Sequence, residues 1–404
     1  MKYVVVLGDG MADRPIESLG GKTPLEYADT PVMDMLSGMS EVGLVATIPE
    51  GMKPGSDTAN LAVLGYDPKK YYTGRSPLEA LSIGVCMEPD DIAIRCNVVT
   101  VSEEESEYKD KVIIDHSAGE ITTEEAAELI KAVQNELQDD IYKYYVGTSY
   151  RHLTIWKGGM VVELTPPHDI LGKVIGEYLP EDDKLREFME RSYDILNNHP
   201  INIEREKNGL NKANSLWFWG AGTKPALDSF EEKYNKKAAM ISAVDLLKGI
   251  AIGANMTNII VEGADGTLHT NYEGKAEAAV NALLSDGYDF VYIHVEAPDE
   301  MGHQGSVENK IKAIEYLDSK VIKNVYEKLV ASGEEFRMLV MPDHATPICV
   351  RTHTSEPIPY MLYDSTLCTI SEYMYIEKDA VKSASANDNM FAEGYKLMDY
   401  FLNN

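Results

Sequence analysis

Three short runs of almost unbroken apolar residues constrain this chain more than any other feature: Tyr3–Leu7, Asp289–Val295 and Arg337–Met341. They are too short for typical helices, and they do not alternate polar with apolar. Strands of that kind need cover on both faces, as in a parallel sheet sandwiched between helices. The stretches around them have helical spacing at Ile241–Ala254, Lys275–Ser285 and Ser306–Leu329, with a further strand at Asn258–Val261. Near the start, Thr23–Ser37 places Leu25, Tyr27, Ala28, Val32, Met35 and Leu36 mostly on one helical face, and Gly43–Ile48 reads as a strand. The alternation predicts an α/β fold, a mainly parallel sheet flanked by helices.

Between these segments the rhythm changes. Ile92–Val101 and Lys111–Ile114 read as strands, followed by a helix at Thr122–Glu136 and strands at Ile141–Val146 and His152–Trp156. We read residues 86–225 as an inserted, smaller α/β lid domain and residues 1–85 with 226–404 as the core. The chain carries 37 Lys plus Arg against 66 Asp plus Glu, a formal charge of −29 that disfavours nucleic acid and anionic membrane surfaces as partners. Tyr3–Leu7 is too short to span a bilayer or to serve as a signal segment. Cys86, Cys96, Cys349 and Cys368 form no CxxC pair, so they read as reduced thiols of a cytoplasmic protein.

The chemistry collects where strands end. Asp9 follows the first run, Asp299 and His303 follow the second, and Asp343 and His344 follow the third, with His353 nine residues further on. Ligands of open α/β sheets bind beyond the carboxyl ends of the strands, so these side chains can converge. Carboxylate oxygens mixed with imidazole nitrogens suit Mn²⁺ or Zn²⁺, with Mg²⁺ where oxygens dominate. Two other motifs are set aside. Gly8-Asp9-Gly10 lacks the third glycine of a dinucleotide fingerprint, and Gly21-Lys22-Thr23 lacks the leading glycine of a P-loop.

Pro54-Gly55-Ser56-Asp57-Thr58 precedes a helical pattern. A serine at a helix N-terminus meets free N–H groups and the positive end of the dipole, a favourable place for a phosphoryl group. Its hydroxyl becomes a competent nucleophile if a metal activates it, whereas helix capping is the simpler role for the same residue.

Together these residues resemble the archaeal-type cofactor-independent phosphoglycerate mutases of the alkaline phosphatase superfamily. The resemblance rests on Gly8-Asp-Gly-Met-Ala-Asp-Arg-Pro15, Gly21-Lys-Thr-Pro-Leu25, Pro54-Gly-Ser-Asp-Thr58, Leu64-Gly-Tyr-Asp67, Tyr72-Thr-Gly-Arg75, Arg95-Cys-Asn97, Ala297-Pro-Asp-Glu-Met-Gly-His303, Pro342-Asp-His344 and the His353 segment. It implies an alkaline-phosphatase-like core and two divalent metal ions, with Mn²⁺ leading. Asp299, His303 and His353 would hold one, and Asp9, Ser56, Asp343 and His344 the other, with Ser56 the phosphorylated nucleophile. The inserted domain would close over the site and exclude water.

The lid departs from the mutase pattern. Where the mutases read Asp-Arg-Arg-Ala-Gly-Arg, this chain has Asp115-His-Ser-Ala-Gly-Glu120. Asp115-His-Ser-Ala-Gly119, Ser149-Tyr-Arg-His152, Thr165-Pro-Pro-His-Asp169 and Asn214-Ser-Leu-Trp217 resemble instead a clade proposed to be homoserine kinases, whose substrate carries no phosphate. On that count we expect a homoserine kinase with ATP as phosphate donor, serving threonine biosynthesis. The alternatives are phosphoglycerate mutase (2-/3-phosphoglycerate interconversion in glycolysis), a phosphatase, or a catalytically silent binding protein on the same fold. Arg95, Asn97, Asp115, Arg151, His152 and Lys275 are the candidate contacts to the small-molecule substrate.

Overall fold

A computed structural model describes residues 1–403 and divides the chain into two compact units, 1–72 with 226–404 and 73–225. The first unit is built on an eight-stranded sheet whose central strand is Lys2–Gly8. Phe290–Val295 and Phe336–Met341 flank it, both parallel to it, with Tyr3 opposite Phe290 and Arg337. Val4 and Val6 are fully buried in one cluster with Ala276, Ala279 and Leu283 of helix Tyr272–Leu284 and with Ala313 and Ile314 of helix Val307–Tyr316. Val5 and Leu7, which point to the opposite face, are fully buried as well, and Tyr3 on that face meets Phe401 of helix Lys396–Asn403, so the strand has the cover on both sides that its apolar run requires. The sheet is mixed, because Ile358–Asp364, a strand not anticipated from sequence, runs antiparallel to both Phe336–Met341 and Ser40–Val45.

Several elements differ from the sequence reading, each for a local reason. The stretch Thr23–Ser37 is two short helices, Pro24–Tyr27 and Pro31–Ser37. Thr30 stands before Pro31 at φ −125° and ψ 62°, outside the helical region that a following proline disfavours. Ile241 ends a buried strand, Ala238–Ile241, paired with Phe290–Ile293, and the helix begins only at Asp245. Short apolar runs are ambiguous between the two states. Ser306–Leu329 contains a π-helical turn at Leu317–Ile322 between two α-helical segments. Only Thr257–Asn258 of the expected strand near 258–261 pairs.

The second unit is a five-stranded antiparallel sheet centred on the fully buried strand Ile92–Val101. Helices Thr123–Leu137 and Asp183–Leu196 supply Leu129, Ile130, Val133, Leu185 and Phe188 to its main core. Its start corrects the expected boundary. Residues 73–85 belong here, because Ala80 and Val85 pack with Ala93, Leu153 and Ile155 in a separate buried cluster. Cys96 is buried and the other three cysteines are exposed, all unpaired. Among the described residues no helix is long and apolar enough to cross a membrane.

The π-helical turn yields a pH prediction. Asp318, fully buried within it, accepts the backbone N–H groups of Met33 (2.6 Å) and Val32 (3.2 Å), which open helix Pro31–Ser37. Burial pushes its carboxyl up to about 6, against the lowering effect of those two hydrogen bonds. A carboxyl raised in the fold stabilises fully below its unfolded value near 3.9, and that contribution is lost as pH rises through the folded value. Melting temperatures of wild type and Asp318→Asn should therefore shift relative to each other in favour of Asn between pH 4.5 and 7. The shift corresponds to roughly 2 kcal/mol.

Candidate active site and metal centre

The carboxyl ends of the three adjacent strands deliver three buried acids to one place. Asp9 follows Lys2–Gly8, Asp343 follows Phe336–Met341, and Asp299 lies in helix Ala297–Gln304, which starts two residues after Phe290–Val295. Pro298 fits the first turn of that helix, where no N–H is needed, and His303 follows Asp299 by one turn. His303 Nε2 lies 3.1 Å from Asp299 Oδ2 and 3.0 Å from His353 Nε2, and His353 Nε2 lies 3.5 Å from Asp299 Oδ1. On the other side, His344 Nε2 lies 3.5 Å from Asp9 Oδ1, 3.4 Å from Asp343 Oδ2 and 3.1 Å from Ser56 Oγ. The structure thus brings together all seven proposed ligands. It also places His344 within ligand reach of both groups, with Asp299 and His353 and with Asp9 and Asp343, rather than with the second alone.

Ser56 is the first residue of helix Ser56–Val63, preceded by Gly55 in extended conformation. Its hydroxyl makes no capping bond within the helix and instead faces His344. Asp57 accepts from the adjacent Thr58 N–H, while its other oxygen accepts from the Tyr72 hydroxyl at 2.8 Å.

The electrostatics of the cluster fit divalent cations. Burial, then the charges of Asp343 and Asp299, push the Asp9 carboxyl well above the usual carboxylate range. Its Oδ1 is buried with no hydrogen-bond partner. Burial also acts to raise Asp299, but hydrogen bonds from His303 and His353 and the charge of His344 outweigh it and hold Asp299 well below that range. The Asp299 hydrogen bond drives His303 up to about 9. Carboxylate and imidazole donors crowded against each other, one buried oxygen lacking a hydrogen bond, are what a bound divalent ion satisfies.

Several residues that hold the cluster were not anticipated. His294, fully buried in Phe290–Val295, lies 2.9 Å from Asp9 Oδ2 and 3.2 Å from Ser242 Oγ. Burial takes its pKa down to about 3, so it is neutral. A lone imidazole inside an apolar strand was the available signal. The Thr346 hydroxyl donates to Asp299 Oδ1 and lies 3.3 Å from His344 Nδ1. The fully buried Lys310 ties the loops after the first and third strands together, donating to Asp13 Oδ2 and to the Thr346 carbonyl, each at 2.8 Å. The glycine motif set aside earlier has a steric use. Gly10, at φ +58°, donates to Asp343 Oδ1, and a Cβ there would lie 2.5 Å from Asp299 Oδ1 and from Thr346 Oγ1.

The candidate substrate residues divide. In the second unit, the buried Arg95 pairs with Glu79 at 2.8 Å and lies over the Trp219 ring at 4.3 Å. Arg75 takes the other Glu79 oxygen at 2.9 Å. Burial lowers Arg95 to about 10, Glu79 opposes this, and Arg75 and Arg151 add to it. Asn97 accepts from Trp219 Nε1 and donates to the His116 carbonyl, and His168 packs edge-on to both His116 and Trp219. Arg75, His116, His168 and Trp219 therefore join Arg95, Asn97 and the exposed Arg151 in a cationic, aromatic cluster. The other three candidates have different contacts. Asp115 builds a turn through Ser117, Gly119 and Asn211. His152 is buried and neutral, driven by burial to about 3, and accepts from the Gly147 N–H. Lys275, in the first unit, is fully buried on the His294 carbonyl at 2.9 Å.

Metal binding should register as stability. At a free Mn²⁺ concentration one hundred times its dissociation constant, wild type should gain about 2.7 kcal/mol. Gly10→Ala, which forces Asp299 and Thr346 aside, should abolish the Mn²⁺-induced rise in melting temperature. An undiminished rise would show that the approach at Gly10 does not shape the metal site.

Residues 38–202 match the family profile of 2,3-bisphosphoglycerate-independent phosphoglycerate mutase. A protein of that name from Methanosarcina barkeri is 47% identical over 390 residues, 95% of this chain and 96% of that one. A probable member from Geobacter sulfurreducens is 44% identical, covering all of both chains. Among solved structures, a Pyrococcus horikoshii protein superposes with a TM-score of 0.81 at 29% identity, covering 100% of this chain and 97% of that one. The cofactor-independent phosphoglycerate mutase of Thermoplasma acidophilum gives 0.66 at 27%, covering 99% of both. These relatives overturn the homoserine kinase expectation, and the ATP donor it required goes with it. That expectation counted arginines missing near Asp115, whereas the fold gathers Arg75, Arg95 and Arg151 from separate segments. With these full-length relatives at 44% to 47% identity, the chain belongs to the 2,3-bisphosphoglycerate-independent phosphoglycerate mutase family.

Proposed function

We propose that this protein interconverts 2- and 3-phosphoglycerate without 2,3-bisphosphoglycerate, through a phosphoserine at Ser56. The observation that carries the reading is Ser56 Oγ at a helix N-terminus, 3.1 Å from His344 Nε2, among converging carboxylates and imidazoles. Asp299, His303 and His353 would hold one divalent ion and Asp9, Ser56 and Asp343 a second, with His344 in reach of either; Mn²⁺ suits the mixed donors. Such ions lower the pKa of a serine hydroxyl and neutralise phosphoryl oxygens.

In the first half-reaction the Ser56 Oγ–P bond forms and the P–O bond to glycerate breaks, while the serine proton passes to the departing oxygen. In the second, the other glycerate hydroxyl attacks the phosphorus, the Ser56 Oγ–P bond breaks, and the proton of that hydroxyl passes to Ser56 Oγ. The N–H groups at the start of helix Ser56–Val63 favour the phosphoryl group on this serine in both steps. Glycerate has to remain bound between them, and its carboxylate calls for guanidinium partners. Arg95 and Arg151, with Arg75, are the groups we assign to it, and the stacking of Arg95 on Trp219 pre-orients one of them.

The test is conversion of 3-phosphoglycerate to its 2-isomer in the absence of bisphosphoglycerate, with Mn²⁺ and after chelation. Activity should vanish on chelation and return with Mn²⁺. Ser56→Ala should lower it by at least a thousandfold while leaving the fold intact. An alanine variant retaining near-full activity would remove the covalent route. Arg151→Ala should raise KM about tenfold or more, since charge-assisted hydrogen bonds contribute on the order of 1.5 to 3 kcal/mol. An unchanged KM would take Arg151 out of the substrate contacts.

A further inference from the structure

Behind the nucleophile lies a buried amide that neither the metal ligands nor the substrate contacts include. Asn60, fully buried, sits one turn after Ser56 on the same helix. Its Nδ2 donates to the Ser56 carbonyl at 2.9 Å and to Asp343 Oδ2 at 2.8 Å, and its Oδ1 accepts from the Tyr292 hydroxyl at 2.5 Å. Tyr292 is itself fully buried, in the strand Phe290–Val295 that leads to Asp299.

A carbonyl oxygen and a carboxylate can only accept, and the tyrosine hydroxyl can donate. These three neighbours permit one orientation of the amide: turned over, its oxygen would face two acceptors and its NH₂ would lose both. The other hydrogen bonds to Asp343 come from backbone, and the His344 imidazole lies 3.4 Å from the same Oδ2. Asp343 Oδ1 accepts from Gly10 N–H (3.2 Å) and His344 N–H (2.9 Å). Asn60 is therefore the side-chain donor that links this carboxylate to the turn carrying Ser56.

Resting on the phosphoserine reading above, we propose that Asn60 is a positioning residue that fixes the nucleophile-bearing turn to Asp343, and that Tyr292 sets the orientation of its amide. Asp343 alone would hold an ion at some distance from the serine. The Asn60 bridge makes that distance a property of the fold. Its donors are neutral, so Asp343 is oriented without being neutralised and keeps its charge for a cation. Outer partners of this kind typically contribute ten- to a hundredfold to metal affinity or activity.

The experiment measures Mn²⁺ dissociation constants by calorimetry on the full chain without substrate, alongside kcat and KM at saturating Mn²⁺. The variants are Asn60→Ala, Asn60→Asp, Tyr292→Phe and the Asn60→Ala/Tyr292→Phe double. We expect Asn60→Ala to weaken Mn²⁺ about tenfold or more and to lower kcat at least tenfold, with KM moved less than threefold. Asn60→Asp, the same size but without the NH₂ group, should not restore kcat. Tyr292→Phe should lower both in the same sense by a smaller factor, and should add nothing once Asn60 is alanine. Should Asn60→Ala fail to fold, Tyr292→Phe, which removes a single oxygen, still reads the effect.

Native Mn²⁺ affinity and kcat in Asn60→Ala, or in Tyr292→Phe if that is the variant that folds, would overturn the proposal. So would independent, additive losses from the two sites. The binding arm uses no phosphoglycerate, so a wild type that binds Mn²⁺ but does not isomerise would refute the proposed function while leaving this test intact. A wild type that binds no Mn²⁺ would overturn both.

Discussion

Three carboxylates held together out of water are the constraint around which the first unit is organised. Asp9, Asp299 and Asp343 are each less than a tenth exposed, and the chain around them already carries a formal −29. Asp9 and Asp343 offer oxygens within 4.8 Å of each other, and two charges at such a separation repel by about 3 kcal/mol in a protein-like dielectric. The protein answers mostly with neutral donors: His294 on Asp9, Asn60 and two backbone N–H groups on Asp343, Thr346 on Asp299. Such donors fix direction without cancelling charge, and the two buried lysines nearby are engaged elsewhere, Lys310 by Asp13 and Lys275 by the His294 carbonyl. The arrangement preserves a negative centre of defined shape, ready for cations.

The second unit has the opposite character at its own cluster. Arg75 and Arg151 both lie within range of the Arg95 charge, and Glu79 bridges Arg75 and Arg95. A strongly acidic protein repels an anionic substrate at long range, so capture has to depend on short-range cations in places of low dielectric. Arg95, buried and stacked on Trp219, is such a place. An always-charged guanidinium tolerates that setting better than an ammonium would.

How much of this could be read from sequence depended on whether the signal was local. The three apolar runs announced the central strands because burial on both faces leaves no polar alternation, and an acid or histidine just past each run announced the metal cluster. Ile358–Asp364 went unread because nothing local marks a strand as antiparallel. Asn60 and Tyr292 were invisible for the same reason, since their pairing joins positions far apart in the chain. The substrate prediction failed at the same boundary. Arginines were counted within one motif near Asp115, yet Arg75 reaches its neighbours only because helix Arg75–Ser82, part of the second unit, packs on that unit's own strands. Charge at a site is a property of the fold, and a motif samples only part of it.

The interruption of the first unit between residues 72 and 226 also bears on how the chain is made. The central strand Lys2–Gly8 finds its neighbours only in Phe290–Val295 and Phe336–Met341, so it leaves the ribosome long before either partner exists. At ordinary rates of synthesis the delay is on the order of tens of seconds. Throughout it the strand Tyr-Val-Val-Val-Leu has both faces and both edges unpaired, whereas residues 73–225 can complete their own sheet as one continuous stretch. During birth, then, a segment destined to be enclosed on both faces is left open to nascent-chain chaperones and to aggregation.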